Sequence, residues 1–351
     1  MNTPFNFRLT KFPNEAEILR HEVREFLSDA LKDIPKETRA ETWYGADENF
    51  SRKVGQKGWI GLNWPKEYGG AGRSSMERYV ILEEMLTAGA PVGAHWISDR
   101  QSGPLIIRYG SEKHQKELLP GILKGESYFC IGMSEPDSGS DLAALRTKAE
   151  KKGNIYLVNG TKLWTSGAHR CQYMIALFKT SQEEDRHGGF SQFIVDLSLP
   201  GVTIRPIIDL AGRHHFNEVI FEDVEVPEDM LIGTEGNGWN QVTAELALER
   251  SGPERYLSSY ILLQELVNEF SNKNDDEGVI EIGRQMSHLT TLRQMSVSVA
   301  GMLDQGENPA LEASVVKDLG AVFEQELPNI AHRLMGLEPD SNGTDFQRYL
   351  A

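Results

Sequence analysis

Two stretches of the chain carry side chains that could do chemistry. One is the helical pattern WNQVTAELALERSG, from Trp239 to Gly252. At about 100° per residue, Val242, Leu246 and Glu249 fall within about 60° of one another. Glu249 therefore lies on the apolar stripe, while Glu245 sits toward its edge and Leu248 points away. A carboxylate on a buried face must be paired or carry a raised pKa. Either outcome suits a general base. The plainer alternative is a structural carboxylate paired with Arg250 or Arg255. The other stretch is SEPDSGSDL, Ser134 to Leu142, which packs one Pro, one Gly, three Ser, two Asp and one Glu into nine residues. That composition makes a loop. Its plainer reading is a surface turn with Asx-type side-chain bonds. Its chemical reading is a set of hydroxyl and backbone donors aimed at charge that develops on a ligand, with Gly139 permitting close backbone approach. His214-His215 lack a carboxylate or third ligand at metal spacing, so no metal site is expected.

Three successive regions must position these residues. The first part is helical: EAEILRHEVREFLSDAL has apolar residues at helical spacing, and SMERYVILEEMLTAGA, GPLIIRYG and KHQKELLPGILKGE follow. Near Gly125 the texture changes to short strands, among them YFCIG, YMIALFKTS, GFSQFIVDLS, VTIRPI and NEVIFEDVEVP. Within NIYLVNGTKLWTS, Asn159-Gly160 is a strong hairpin signal and predicts two strands. Helices return from GNGWNQVTAELALERSG to the end, with SNKNDDEG as a polar loop and Gly252-Pro253 interrupting the first of them. The expected fold is α+β: an N-terminal α-helical domain (1–124), a middle antiparallel β-barrel-like domain (125–235) and a C-terminal α-helical bundle (236–351).

Bulk properties narrow the function. With 351 residues and a net charge of −16, the chain is not expected to bind nucleic acid or anionic membranes. An anionic small ligand remains compatible, because a nest of backbone N–H groups can hold one on an acidic protein. Cys130 and Cys171 form no CxxC, and Cys130 reads as a buried free thiol. GGAG in WPKEYGGAGRSS lacks the preceding strand and the GxGxxG spacing of a dinucleotide site. No stretch approaches the ~20 apolar residues of a membrane span, and MNTPFNFRLTKF lacks a signal-peptide core. A cytoplasmic location is expected.

Several motifs together resemble those of acyl-CoA dehydrogenases: WPKEYGG, GPLIIRYGSEKHQKELLPGILKGE, SEPDSGSDLAALRTKAEKKGNIYLVNGTKLWTSGA, FEDVEVPEDMLIG and NGW…LALERSG. They occur in family order over roughly residues 15 to 255. The resemblance implies an α-helical domain, a β-barrel-like domain and a helical bundle with FAD at their junction. It places Ile131, Met133 and Ser134 at the flavin ring, and Gly139 and Ser140 toward the FAD and CoA phosphates. It makes Trp164 the aromatic that covers the flavin and Ser166 the hydroxyl that bonds N5, with Thr165 between them. Ser140, His215 and Arg250 become substrate-binding positions, and Trp96 falls near the floor of the acyl pocket. The implied reaction is α,β-dehydrogenation of an acyl-CoA, electrons passing to an electron-transfer flavoprotein. Glu249-Arg250 matches the members that carry the base on this helix, and no Tyr-Glu-Gly-Thr-like segment offers the alternative.

Two family features have no counterpart: an Arg-x-x-Phe-Gly segment reaching a neighbour's FAD, and the last Gly-rich segment with its helices. A truncated member is one explanation. The bacterial type in which unlike subunits share sites, suited to sterol side chains, is the other. The partners implied are an acyl-CoA, an electron-transfer flavoprotein, and either copies of this chain or a homologous subunit in a heterotetramer. A non-catalytic subunit completing a partner's site is the competing function. Helices such as MSVSVAGML and ASVVKDLGAVF are apolar enough to pack on another chain.

Overall fold

The computed structural model describes all residues except 1–4, 42, 211, 249–251, 272, 274, 341, 345–346 and 349–351, and only the backbone of 36, 37 and 244–248. The helices are α1 (Asn14–Ala30), α2 (Lys36–Ala40), α3 (Glu48–Gln56), α4 (Ser75–Thr87), α5 (Gly93–Ile97), α6 (Gly103–Tyr109), α7 (Glu112–Leu123), α8 (Gly238–Leu248), α9 (Tyr260–Phe270), α10 (Asp276–Asp304) and α11 (Ala310–Met335). The strands are β1 (Phe129–Gly132), β2 (Lys148–Lys152), β3 (Ile155–Ser166), β4 (Tyr173–Lys179), β5 (Phe190–Asp196), β6 (Val202–Ile208) and β7 (His214–Pro227). The order of helices, strands and helices is the α+β arrangement that the periodicities predict. The chain forms two compact units. One comprises Met1–Phe50, Gly72–Gly93 and Ala247–Ala351; the other comprises Ser51–Ala71 and Ala94–Leu246.

In the first unit α4 is the centre, and most of its residues are buried. Its start is fixed by a capping box in which the Ser74 hydroxyl accepts from Glu77 N while Glu77 accepts from Ser74 N. Burying Glu83 and Glu84 on this helix demands partners. Arg20 of α1 bonds both carboxylates, at 2.7 and 2.5 Å, and Arg293 of α10 reaches Glu83 at 2.6 Å. Tyr79 and Tyr256 share a buried hydroxyl–hydroxyl bond.

In the second unit the strands form one curled sheet in the order β1-β4-β2-β3-β7-β6, with β5 on β4. Most pairings are antiparallel, but β1 and the start of β2 both lie parallel to β4. Apolar residues from successive strands pack into one buried cluster, among them Tyr156, Val158, Phe178, Phe193, Phe221, Val224 and Val226. Cys130 is a buried free thiol, as expected.

The hairpin expected at Asn159-Gly160 does not form. β3 runs unbroken through it, with one register shift between Val158 and Gly160 and another between Lys162 and Thr165. The turn lies at Gly153-Asn154, where Lys152 pairs with Ile155. Asn159 instead bridges to the neighbouring strand: its side chain accepts from Asp223 N at 2.9 Å and donates to the Asp223 carboxylate at 3.0 Å. Gly160, at φ 144°, is needed because a Cβ there would lie 2.5 Å from the Thr147 hydroxyl. Two boundaries also move. β7 begins at His214, ahead of the Asn217 start of the expected run NEVIFEDVEVP, and α9 begins at Tyr260 after a 3-10 turn at Pro253–Arg255.

Candidate active site

The polar loop leaves the sheet where β1 ends against β4 and returns where β2 begins beside the same strand. It is pinned from within by Lys162. Alternation along β3 puts Tyr156, Val158 and Lys162 on the inner side, and Lys162 has no solvent exposure. Its ammonium donates to the Met133 carbonyl at 3.1 Å and to Glu135 Oε1 at 2.8 Å. Glu135 also accepts from Arg146 N at 2.6 Å and Thr147 N at 3.0 Å, so one carboxylate ties the start of the loop to its end. Burial works against the Glu135 anion, but the Lys162 charge and these bonds hold its carboxyl below the usual range. Burial lowers the Lys162 ammonium to about 8 despite Glu135. Residues 135–138 close a tight turn through Glu135 N to Ser138 O at 2.7 Å, and the Ser138 hydroxyl caps Asp141 O.

Main-chain bonding sets the loop against β3. Leu163 N donates to Ser134 O at 2.8 Å. This brings Ser134 beside the strand that carries Trp164, Thr165 and Ser166. Trp164 is left-handed, at φ 60°, and 56% exposed. A bulky residue at positive φ is rare and persists only where its surroundings over-determine it. The indole meets Phe216 edge-on at 5.9 Å between centroids. The Thr165 hydroxyl is buried, whereas Ser134, Ser166, Ile131 and Met133 are half-buried and Gly139 and Ser140 are exposed. A Cβ on Gly139 would meet no atom within 4 Å.

Beyond Trp164 lies a second polar cluster. His169 and His214 stack at 3.9 Å, and both reach the buried Asn217. Burial, with His214 alongside, drives His169 down to about 4, so it is neutral at physiological pH. His215 opens β7 and accepts from Gly167 N through its carbonyl. Trp96 is buried. Glu249 and Arg250 lie outside the described residues. No metal-binding group of three His, Cys, Asp or Glu exists among the described residues, and no described helix is long and apolar enough to cross a membrane.

Residues 13–126 match the family model for the acyl-CoA dehydrogenase N-terminal domain, and residues 130–224 match that for the middle domain. The curated acyl-CoA dehydrogenase IpdE1 of Mycobacterium tuberculosis is 33% identical over 355 residues, covering 95% of this chain and 90% of the relative. The chain belongs to the acyl-CoA dehydrogenase family. Another member from that bacterium, FadE29, is 38% identical over 250 residues, a match that spans 70% of this chain and 64% of FadE29. Among solved structures, the Tcur3481-Tcur3483 steroid ACAD superimposes with a TM-score of 0.86 at 26% identity, over 98% of this chain and 91% of the other.

Acyl-CoA dehydrogenases are generally FAD-dependent flavoproteins, and the residues of the second unit fit a flavin. The exposed left-handed indole offers a face to a planar ring. Ser134 and Ser166 are half-buried hydroxyl donors, and a Cβ on Gly139 would meet no atom within 4 Å. Among these residues the sequence reading missed three. Lys162 was legible, since a lysine at the inward phase of a strand must be buried with a partner. Glu135 had no such signal, because a loop has no period. Asn217 hid in FNEVIF, where its inward phase is set by a register that only β7's pairing defines.

Proposed function

We propose that this chain is an FAD-dependent dehydrogenase acting at Cα–Cβ of a bulky, ring-bearing acyl-CoA and yielding the trans-2-enoyl-CoA. The observation that carries the reading is the loop clamped by Lys162 and Glu135, which sets Ser134 beside an exposed Trp164. Family membership, and the likeness to a steroid enzyme, support the chemistry and the acyl class. When bound, FAD supplies the acceptor for the hydride that leaves Cβ. Trp164 covers the flavin ring, with Ile131, Met133 and the Thr165 main chain around it. Ser134 and Ser166 donate hydrogen bonds to its edge, stabilising negative charge without reorganisation. Gly139 and Ser140 serve the phosphate end, with Ser140, His215 and Arg250 on the substrate. Glu249 takes the Cα proton. Helical spacing in the sequence puts Glu249 on the same apolar stripe as Val242 and Leu246.

Electrons pass on to an electron-transfer flavoprotein in the cytoplasm, and the enzyme works as an assembly with copies of itself or with a homologous subunit. The reading is tested by mixing the purified protein anaerobically with a steroid-side-chain acyl-CoA and with a straight-chain acyl-CoA. Flavin bleaching by the first, faster than by the second, is expected. Flavin that neither thioester reduces, and that becomes reducible only beside a homologous subunit, would replace this reading with that of a subunit completing a partner's site.

A further inference from the structure

Trp164 is anchored on both sides. Lys162 holds the residues before it, and the polar cluster around Asn217 holds the residues after it. Asn217 on β7 has no solvent exposure. Its Nδ2 donates to the Thr165 carbonyl at 3.0 Å, and its Oδ1 accepts from His214 Nε2 at 2.7 Å. His169 Nδ1 lies 3.2 Å from the same amide, and its ring stacks on His214 with an interplanar angle of 21°. Gly167 N reaches His215 O at 2.9 Å, and Phe216, next to Asn217, meets the Trp164 indole. One buried amide thus ties the residue that follows the indole to the strand that carries its aromatic neighbour.

We propose that Asn217 is a positioning residue for Trp164. With His169 and His214 it fixes the end of β3 so that the indole keeps its left-handed, outward pose and presents a face to a planar ligand. That the ligand is a flavin rests on the function proposed above; the positioning itself rests on the hydrogen bonds. A left-handed tryptophan needs such over-determination. An apolar side chain at 217 would leave the Thr165 carbonyl and the His214 N–H unpaired in a dry place. Asn217→Asp is more selective. Its carboxylate accepts from the imidazoles but cannot donate to Thr165.

The test has a flavin-free arm and a flavin arm. The chain has 6 tryptophans, so 5-fluorotryptophan labelling gives fluorine resonances, of which Trp164→Phe assigns one. In the ligand-free protein, Asn217→Asp and Asn217→Ala should each shift or broaden the Trp164 line and leave the others in place. In the flavin arm, Asn217→Asp should weaken FAD binding about tenfold when Trp164 is present and by less than about twofold in the Trp164→Ala background. An unmoved Trp164 line together with a lowered melting temperature would assign Asn217 a purely structural role. Equal losses of FAD affinity in both backgrounds would overturn the proposal too. A wild-type protein that takes up no FAD would defeat the proposed function alone, and the fluorine lines would still decide the role of Asn217.

Discussion

A lysine without solvent contact survives in a sheet only with its charge answered, and Lys162 is answered by Glu135 and the Met133 carbonyl. Removing one partner leaves the other charge buried and alone. Lys162→Met or Glu135→Gln should each cost about 3–5 kcal/mol in urea unfolding, with the double replacement costing less than the sum. The pH sign follows from Glu135. Its folded carboxyl titrates below the ordinary 4.5, so its contribution is fully present above that value. It is lost as pH falls through the folded value. Acid titration of wild type against Glu135→Gln, followed by circular dichroism, should show the steeper acid loss in wild type. At Glu249, the Gln variant keeps shape and loses basicity. Substrate-driven flavin bleaching should slow by about 10² to 10⁴ while FAD binding stays intact. Reduction at the wild-type rate would place the base elsewhere.

At the scale of elements, period was the legible quantity. Helical spacing located α1, where a buried stripe repeats, and the helices after β7, whereas α4 is buried along nearly its whole length. Short apolar runs bounded by turn residues located β4 and β5, which are buried on both faces, and β7. Asn159-Gly160 misled because the same dipeptide that turns a hairpin also relieves a strand where another chain segment presses on it. Here Thr147 is that segment, and Asn159 spends its side chain on Asp223. The true turn is Gly153-Asn154. Nothing local in the sequence distinguishes the two, since the choice depends on which strands pair. Gly160→Ala should therefore destabilise the protein by about 1–3 kcal/mol, read as a lower melting temperature, because its Cβ collides with Thr147 at a left-handed φ. Gly139→Ala, with no atom near its Cβ, should leave the melting temperature within a degree or so.

At the scale of the whole molecule, α10 and α11 each expose apolar side chains. Val279, Ile280 and Met286 on α10 are 51%, 56% and 40% exposed, and Leu311, Leu319 and Val322 on α11 are 53%, 46% and 47% exposed. On α11 the three recur at helical spacing, which makes a stripe. Burial of this stripe in a dimer or larger assembly is the expected outcome, measured as solution mass by light scattering. Leu319→Asp with Val322→Asp should lower that mass, and an unchanged mass would free these helices from the interface. The central claim concerns the cofactor and its use. The most direct measurement is the visible spectrum of the pure protein, alone and co-expressed with a homologous subunit, before and after anaerobic addition of a steroid-side-chain acyl-CoA. A flavin band released as FAD on denaturation, and bleached by the thioester in wild type but not in Glu249→Gln, is expected. A protein that stays colourless in both preparations, and takes up no added FAD, would contradict it.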